Sequence, residues 1–207
     1  MDKSKEETIT IPKSTYNEML EKIKRLEKYV DQKEPSQISS ADEEAFNLFF
    51  KQYPPLKGGP PIEIRPWFRL GEGAYYFGEC TKDKKGHGRG ICLQGKGSRY
   101  EGYFQYGSKS GKGKFYYANG QTYEGDWLNN VMHGYGTYSF MNGDKYIGNW
   151  KNGMRDGDGL FEKIDGTKYK GEWKDNKKHG KGEEYDPKVG VWKKGIWKEG
   201  KLEKYVK

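Results

Sequence analysis

The chain repeats itself every 23 residues. Tyr100, Tyr123, Tyr146 and Tyr169 stand 23 apart, and His87, His133 and His179 stand 46 apart, with Ser110 and Asp156 in the slots between. Each slot is followed by Gly-x-Gly: Gly88/Gly90, Gly111/Gly113, Gly134/Gly136, Gly157/Gly159 and Gly180/Gly182. A period of this length means one supersecondary unit stacked on copies of itself, because a single unit cannot bury its apolar face alone. Five units run from Tyr76 to Trp192, the first with one extra residue before His87. A degenerate half-unit over 194–203 closes the series.

Within a unit the pattern is that of a β-hairpin. Tyr-x-Gly-x-Trp alternates with period two and puts Tyr123, Gly125 and Trp127 on one face, Glu124 and Asp126 on the other. Asn129-Asn130, Asn152-Gly153 and Asp175-Asn176 follow, residues that tolerate the positive φ of a tight turn. The second strand starts at Gly-x-Gly and ends at Asn119-Gly120, Asn142-Gly143 or Asp165-Gly166, strong hairpin signals. Hairpin after hairpin predicts an all-β repeat: an elongated, curved, single-layer antiparallel meander. Roughly eleven strands at ~4.8 Å spacing extend on the order of 50 Å.

Composition sets what such a sheet can use as a core. Hydrophobic residues are 32% of the chain and charged residues 33%, which alone would suggest disorder, but 15% is aromatic. The core is therefore expected to be a ladder of Tyr and Trp, with glycines leaving room for rings to lie flat and for the sheet to curl.

The unit Y-x-G-x-W … H-G-x-G followed by a variable strand and an N-G turn resembles the MORN repeat. The resemblance covers about 76–200, with Cys80 and Phe104 at the Trp position and Glu184 where a second-strand aromatic is expected. Those units should have weaker ladders. The family implies a structural or interaction role, found among ciliary, flagellar, cytoskeletal and membrane-contact assemblies.

Residues 1–70 lie outside the resemblance and form an arm, with the repeat domain over 71–200 and a tail over 201–207. Thr15 and Glu18 make a capping box, and Tyr16, Met19, Ile23, Leu26 and Val30 are spaced as a two-heptad seam. This predicts a helix over about 15–31, too short to hold a coiled coil alone, that docks or dimerises. A second short helix is expected over about 40–51, where Phe46, Phe49 and Phe50 call for burial. Residues 53–66 read as a proline-rich strap.

No catalytic constellation is evident, so an enzyme is not expected. The three histidines, two units apart, should stand ~19 Å from one another, too far for one metal ion. No metal or cofactor is expected. Cys80 and Cys92 fall at inward positions of opposite strands of one hairpin and could approach, as small apolar fillers or else as a redox pair or metal ligands. Gly86-His87-Gly88-Arg89-Gly90 has the composition of a phosphate loop but no Gly-Lys-Ser/Thr. No apolar run reaches the ~20 residues of a membrane-spanning helix, and MDKSKEETIT lacks a signal-peptide core. With two cysteines, an intracellular setting is expected.

Two functional readings follow. The first is a non-catalytic scaffold binding a helix or extended segment of a protein partner in an aromatic groove. That groove would be formed by Tyr100, Phe104, Phe115, Tyr123, Trp127, Tyr138, Phe140, Tyr146, Trp150, Phe161, Tyr169 and Trp173. The family makes a ciliary axoneme, with a radial-spoke-like assembly, the leading location. The second is an adaptor on a membrane surface or phosphoinositides. Residues 1–70 balance 12 Lys+Arg against 12 Asp+Glu, so the whole formal charge of +8 rests on residues 71–207. Acids are interleaved with the lysines, which weighs against a purely basic patch. Nucleic acid is not an expected partner, because the rings it would stack on are needed for the core.

Overall fold

The computed structural model describes residues 63–71, 74–94 and 97–206. The helices expected over about 15–31 and 40–51, and with them Tyr16, Met19, Ile23, Leu26, Val30, Phe46, Phe49 and Phe50, lie outside these residues.

The described chain is one antiparallel sheet whose strands pair strictly in sequence order. They are β1 (Glu63–Gly71), β2 (Ala74–Cys80), β3 (Gly86–Gln94), β4 (Ser98–Gln105), β5 (Ser108–Tyr116), β6 (Thr122–Leu128), β7 (Val131–Ser139), β8 (Lys145–Lys151), β9 (Met154–Glu162), β10 (Lys168–Lys174), β11 (Lys177–Asp186), β12 (Val191–Lys198) and β13 (Lys201–Tyr205). The 13 strands exceed the eleven expected because the sheet overruns the motif at both ends. β1 begins within the stretch read as a strap, and β13 takes up most of the stretch read as a tail. Edge strands pair through backbone alone, so neither needs a Tyr-x-Gly-x-Trp to join.

Two turn types alternate along the two long edges. At Asn129-Asn130 both residues have positive φ, 48° and 70°, and Asp175-Asn176 repeats this at 47° and 67°. These are the tight hairpin turns whose twist matches the strands. At the opposite edge only the glycine is left-handed: Gly120 at 86°, Gly143 at 90° and Gly166 at 85°. The Asn-Gly and Asp-Gly pairs there do not make two-residue turns. They close longer loops in which Gly120 N donates to Tyr117 O at 2.9 Å and Asn119 Oδ1 accepts from Gln121 N at 3.2 Å. The extra residue of the first unit is absorbed in the β2–β3 turn, where Lys84 takes φ 59° and its N donates to Thr81 O.

Register aligns one glycine from every strand between β2 and β12 into a single transverse row. It runs Gly78, Gly90, Gly102, Gly113, Gly125, Gly136, Gly148, Gly159, Gly171, Gly182, Gly195. This row divides the sheet lengthwise and organises both faces. On the first face the unit tyrosines lie across it. On the second it lies between two rows of side chains.

Candidate functional site

The first face is closed by its own rings. Tyr76, Tyr100, Tyr123, Tyr146 and Tyr169 are at most 1% exposed. Each hydroxyl crosses its strand and donates to the backbone carbonyl three residues on, as Tyr123 Oη does to Asp126 O at 3.0 Å and Tyr146 Oη to Asn149 O at 3.0 Å. Each indole sits edge-on between two tyrosines. Trp127 is 5.3 Å from Tyr100 and 5.2 Å from Tyr123; Trp150 is 5.3 Å from Tyr123 and 5.1 Å from Tyr146. Trp173 bridges Tyr146 and Tyr169, and Trp197 of the half-unit ends the series against Tyr169. Edge-to-face pairs of this kind add about 0.5–1.5 kcal/mol each beyond area burial. Each indole N–H also reaches back 14 residues to a carbonyl of the glycine row: Trp127 to Gly113 at 3.1 Å, Trp150 to Gly136 at 3.2 Å, Trp173 to Gly159 at 3.3 Å. Successive repeats are thus locked by packing and by a hydrogen bond.

Of the twelve residues expected to form an aromatic groove, nine are therefore buried in this ladder: Tyr100, Phe104, Phe115, Tyr123, Trp127, Tyr146, Trp150, Tyr169 and Trp173. Tyr138, Phe140 and Phe161 are half-buried and pack against it together with Tyr117 and Met132. They form a second row: Tyr117–Tyr138 at 5.9 Å, Tyr138–Phe140 at 4.7 Å, Phe140–Phe161 at 5.8 Å. Burial pushes the Tyr117 phenol up to about 12.

The second face carries a furrow. Its floor is the C-terminal part of the glycine row: Gly148, Gly159, Gly171, Gly182 and Gly195. One wall is Ile147, Leu160, Lys170, Glu183 and Lys194, with Val206 at its end; the other includes Tyr135, Asn149, Asp158, Lys181 and Ile196. It encloses about 1030 Å³. A smaller hollow of about 370 Å³ continues it over Gly113, Gly125 and Gly136, sharing Tyr135. Tyr135 is 56% exposed and Ile147, Leu160 and Ile196 are half-buried. Here apolar side chains interrupt a row of alternating charge, Glu101–Lys114–Glu124 on one side and Lys170–Glu183–Lys194 on the other.

A third surface runs along the glycine-loop edge. Met141 is 73% exposed, Ile164 75% and Val189 59%. Exposed Lys163 and Lys188 flank them.

Four consecutive segments, residues 100–122, 123–145, 146–168 and 169–188, match the family model for the MORN repeat. Each segment opens on a ladder tyrosine. Residues 100–188 are four consecutive MORN repeats. A comparison with curated proteins returned no match. MORN repeats are modules of protein or membrane interaction and are typically not enzymes.

The units that depart from the MORN motif keep the ladder continuous by other means. Phe104 stands where a Trp would and bridges Tyr76 and Tyr100 edge-on at 4.9 and 5.0 Å, but has no N–H for the glycine row. Cys80 and Cys92 are both buried. They do not meet, because Cys92 pairs with Tyr76 and Cys80 with Gly86, at opposite ends of the hairpin. Burial raises the Cys92 thiol to about 11. Glu184 replaces an aromatic with an ion pair to Lys178, at 2.6 Å.

One column escapes a reading of the motif. Lys109, Met132, Arg155 and Lys178, again 23 apart, lie against the rings of the ladder. Lys109 Nζ lies 5.0 Å from the Trp127 ring, the Arg155 guanidinium 4.4 Å from Trp173, and Lys178 Nζ 4.6 Å from Tyr169. Desolvation against the rings pulls the Lys109 and Arg155 pKa values down. Their common spacing is the signal that would have found them. The histidine slots serve the backbone: His133 O accepts from Tyr123 Oη at 3.2 Å and His179 O from Tyr169 Oη at 3.5 Å.

Proposed function

We propose that this chain is a non-catalytic scaffold subunit that seats a helical or extended segment of a protein partner in the furrow of the second face. The observation that carries the reading is the division of labour between faces. The first face has spent its rings on the core, while the second offers a glycine-floored channel with half-exposed Ile147, Leu160 and Ile196 between charged walls. Apolar anchors in a partly desolvated channel, ringed by polar groups, are the arrangement from which interfaces draw most of their energy. Tyr135 and Lys170, Lys181 and Lys194 favour a partner segment with apolar residues flanked by acids. The half-buried row Tyr138, Phe140 and Phe161 gives the first face a smaller auxiliary surface. The cellular assembly we propose is a cytoskeletal one such as a ciliary axoneme, on the strength of the family resemblance.

The test is fractionation of the source cell. Retention of the full chain in a pellet that resists both non-ionic detergent and salt supports the scaffold. Release by moderate salt contradicts it, since screening removes surface charge attraction and leaves a packed apolar contact in place.

A second reading, attachment to an anionic membrane surface, is favoured by one observation. Met141, Ile164 and Val189 project from one edge beside Lys163 and Lys188, as shallow insertion beside anionic headgroups would require. Release by detergent, and loss of attachment in Met141→Ser/Ile164→Ser, would favour it over the scaffold.

A further inference from the structure

The alternation of each strand turns the residue after a ladder tryptophan to the second face, at the edge of the tight turns. Leu128 follows Trp127, Lys151 follows Trp150, Lys174 follows Trp173 and Lys198 follows Trp197. Register pairs each with the first residue beyond its turn: Leu128 with Val131, Lys151 with Met154, Lys174 with Lys177 and Lys198 with Lys201. Consecutive turns thus carry a row of pairs whose chemistry changes along the sheet. The first pair is apolar, the second mixed and the last two dibasic. All of these residues are exposed.

The positive charge of the row is mostly unspent. Lys177 Nζ donates to Glu199 Oε2 of the next turn at 2.6 Å. Among the described residues, Lys151, Lys174, Lys198 and Lys201 make no ion pair. Asp175 and Glu199 are the acids within these turns, fewer than the lysines they face. A lysine on an open edge strand blocks unwanted pairing, which accounts for Lys201 of β13. It does not account for Lys151, Lys174 and Lys177, which lie on the inner strands β8, β10 and β11.

The spacing of the row fits one kind of occupant. Each turn joins two strands, so neighbouring pairs stand about 9.6 Å apart, twice the ~4.8 Å between strands. A polyproline-type segment repeats every three residues at ~3.1 Å per residue, about 9.3 Å per repeat. Laid across the turns, such a segment meets successive pairs with its residues i, i+3, i+6 and i+9.

We propose that this edge of the second face binds an extended acidic segment of another protein, with acids at i, i+3 and i+6 and an apolar residue at i+9. The acids face Lys198 and Lys201, Lys174 and Lys177, and Lys151 in turn. The apolar residue reaches Leu128, Val131 and Met154 and fixes the register. Charge complementarity selects the occupant. None of these residues lines the furrow, so the inference stands whether or not the furrow holds a partner.

The probe is a fluorescein-labelled decapeptide with Glu at positions 1, 4 and 7, Leu at 10, and Pro, Ser or Gln between, made in both chain directions. Anisotropy titration against the full chain is expected to show binding in one direction or both. Lys174→Ser/Lys198→Ser should weaken it about fivefold or more, and Leu128→Ser/Val131→Ser several-fold, with both variants folded by circular dichroism. Ile147→Ser/Leu160→Ser in the furrow should leave it unchanged. A peptide of the same composition with its three Glu adjacent should bind several-fold more weakly. No binding, equal binding of the two arrangements, or binding indifferent to the lysines overturns the inference. Loss of binding in the furrow variant overturns it by moving the peptide to the furrow. Lysine-dependent capture by phosphatidylcholine–phosphatidylserine vesicles without peptide binding also overturns it, by assigning the row to a membrane surface.

Discussion

The ring of Tyr123 lies flat across Gly136 of the neighbouring strand. A Cβ on Gly136 would stand 2.5 Å from the Tyr123 hydroxyl and 2.6 Å from Cζ. Glycine at this position is therefore dictated by the ring, not by backbone conformation. Gly136→Ala should cost about 1–3 kcal/mol through overpacking. Gly107→Ala meets nothing within 4 Å, and its cost should come only from φ 89° at a hairpin turn, about 1 kcal/mol. Chemical denaturation of both variants separates the two effects, and equal costs would contradict the steric account.

Trp150 does two jobs, packing between Tyr123 and Tyr146 and hydrogen-bonding Gly136 O. Trp150→Phe should retain most packing and lose about 1 kcal/mol with the hydrogen bond. Trp150→Ala should lose about 3–5 kcal/mol. Because repeats couple only to neighbours, the larger loss should also split the cooperative unfolding transition at β8. Fluorescence and calorimetric melts check both.

Asn130 joins its turn to the preceding repeat, its Oδ1 accepting from Lys109 N at 2.8 Å while its backbone holds φ 70°. Asn130→Gly should lose only the side-chain hydrogen bonds, from Lys109 N to Oδ1 and from Nδ2 to Ser108 Oγ, about 1–2 kcal/mol in all. Asn130→Ala should lose those and a further ~1 kcal/mol or more for the left-handed backbone. The order Asn, then Gly, then Ala in melting temperature is the expected result.

Burial lifts Glu101 from 4.5 to about 7, opposed by the Arg99 and Lys114 charges and reinforced by Glu124. Between those values the folded chain keeps a proton that the unfolded chain has lost. This contribution to stability is therefore complete below about pH 4.5 and declines as pH rises through about 7. Melting from pH 4 to 8 should show a steeper decline for the parent than for Glu101→Gln. A parallel pair of curves would contradict the burial assigned to this carboxyl.

The period of 23 made strands, turns and the ladder rungs legible, because every Tyr-x-Gly-x-Trp answers one packing rule. β1 and β13 were not legible, since Arg65 and Tyr205 meet Gly78 and Gly195 only as edge partners and carry no motif. Nine of the twelve rings read from the sequence as a partner groove belong to the core, for a physical reason. Aromatics signal both cores and interfaces, and a sheet one layer thick must spend them on its own core first. The furrow is written in residues that vary between units, such as Ile147, Leu160 and Lys170, so no repeat pattern announces it.

The most direct measurement compares two full-chain variants in the source cell for retention in the detergent- and salt-resistant fraction. Ile147→Glu/Leu160→Glu alters the furrow, and Tyr138→Ser/Phe140→Ser alters the half-buried row of the first face. The account predicts that only the furrow variant is released, with both proteins folded by circular dichroism. Release of the first-face variant with the furrow variant retained would contradict it.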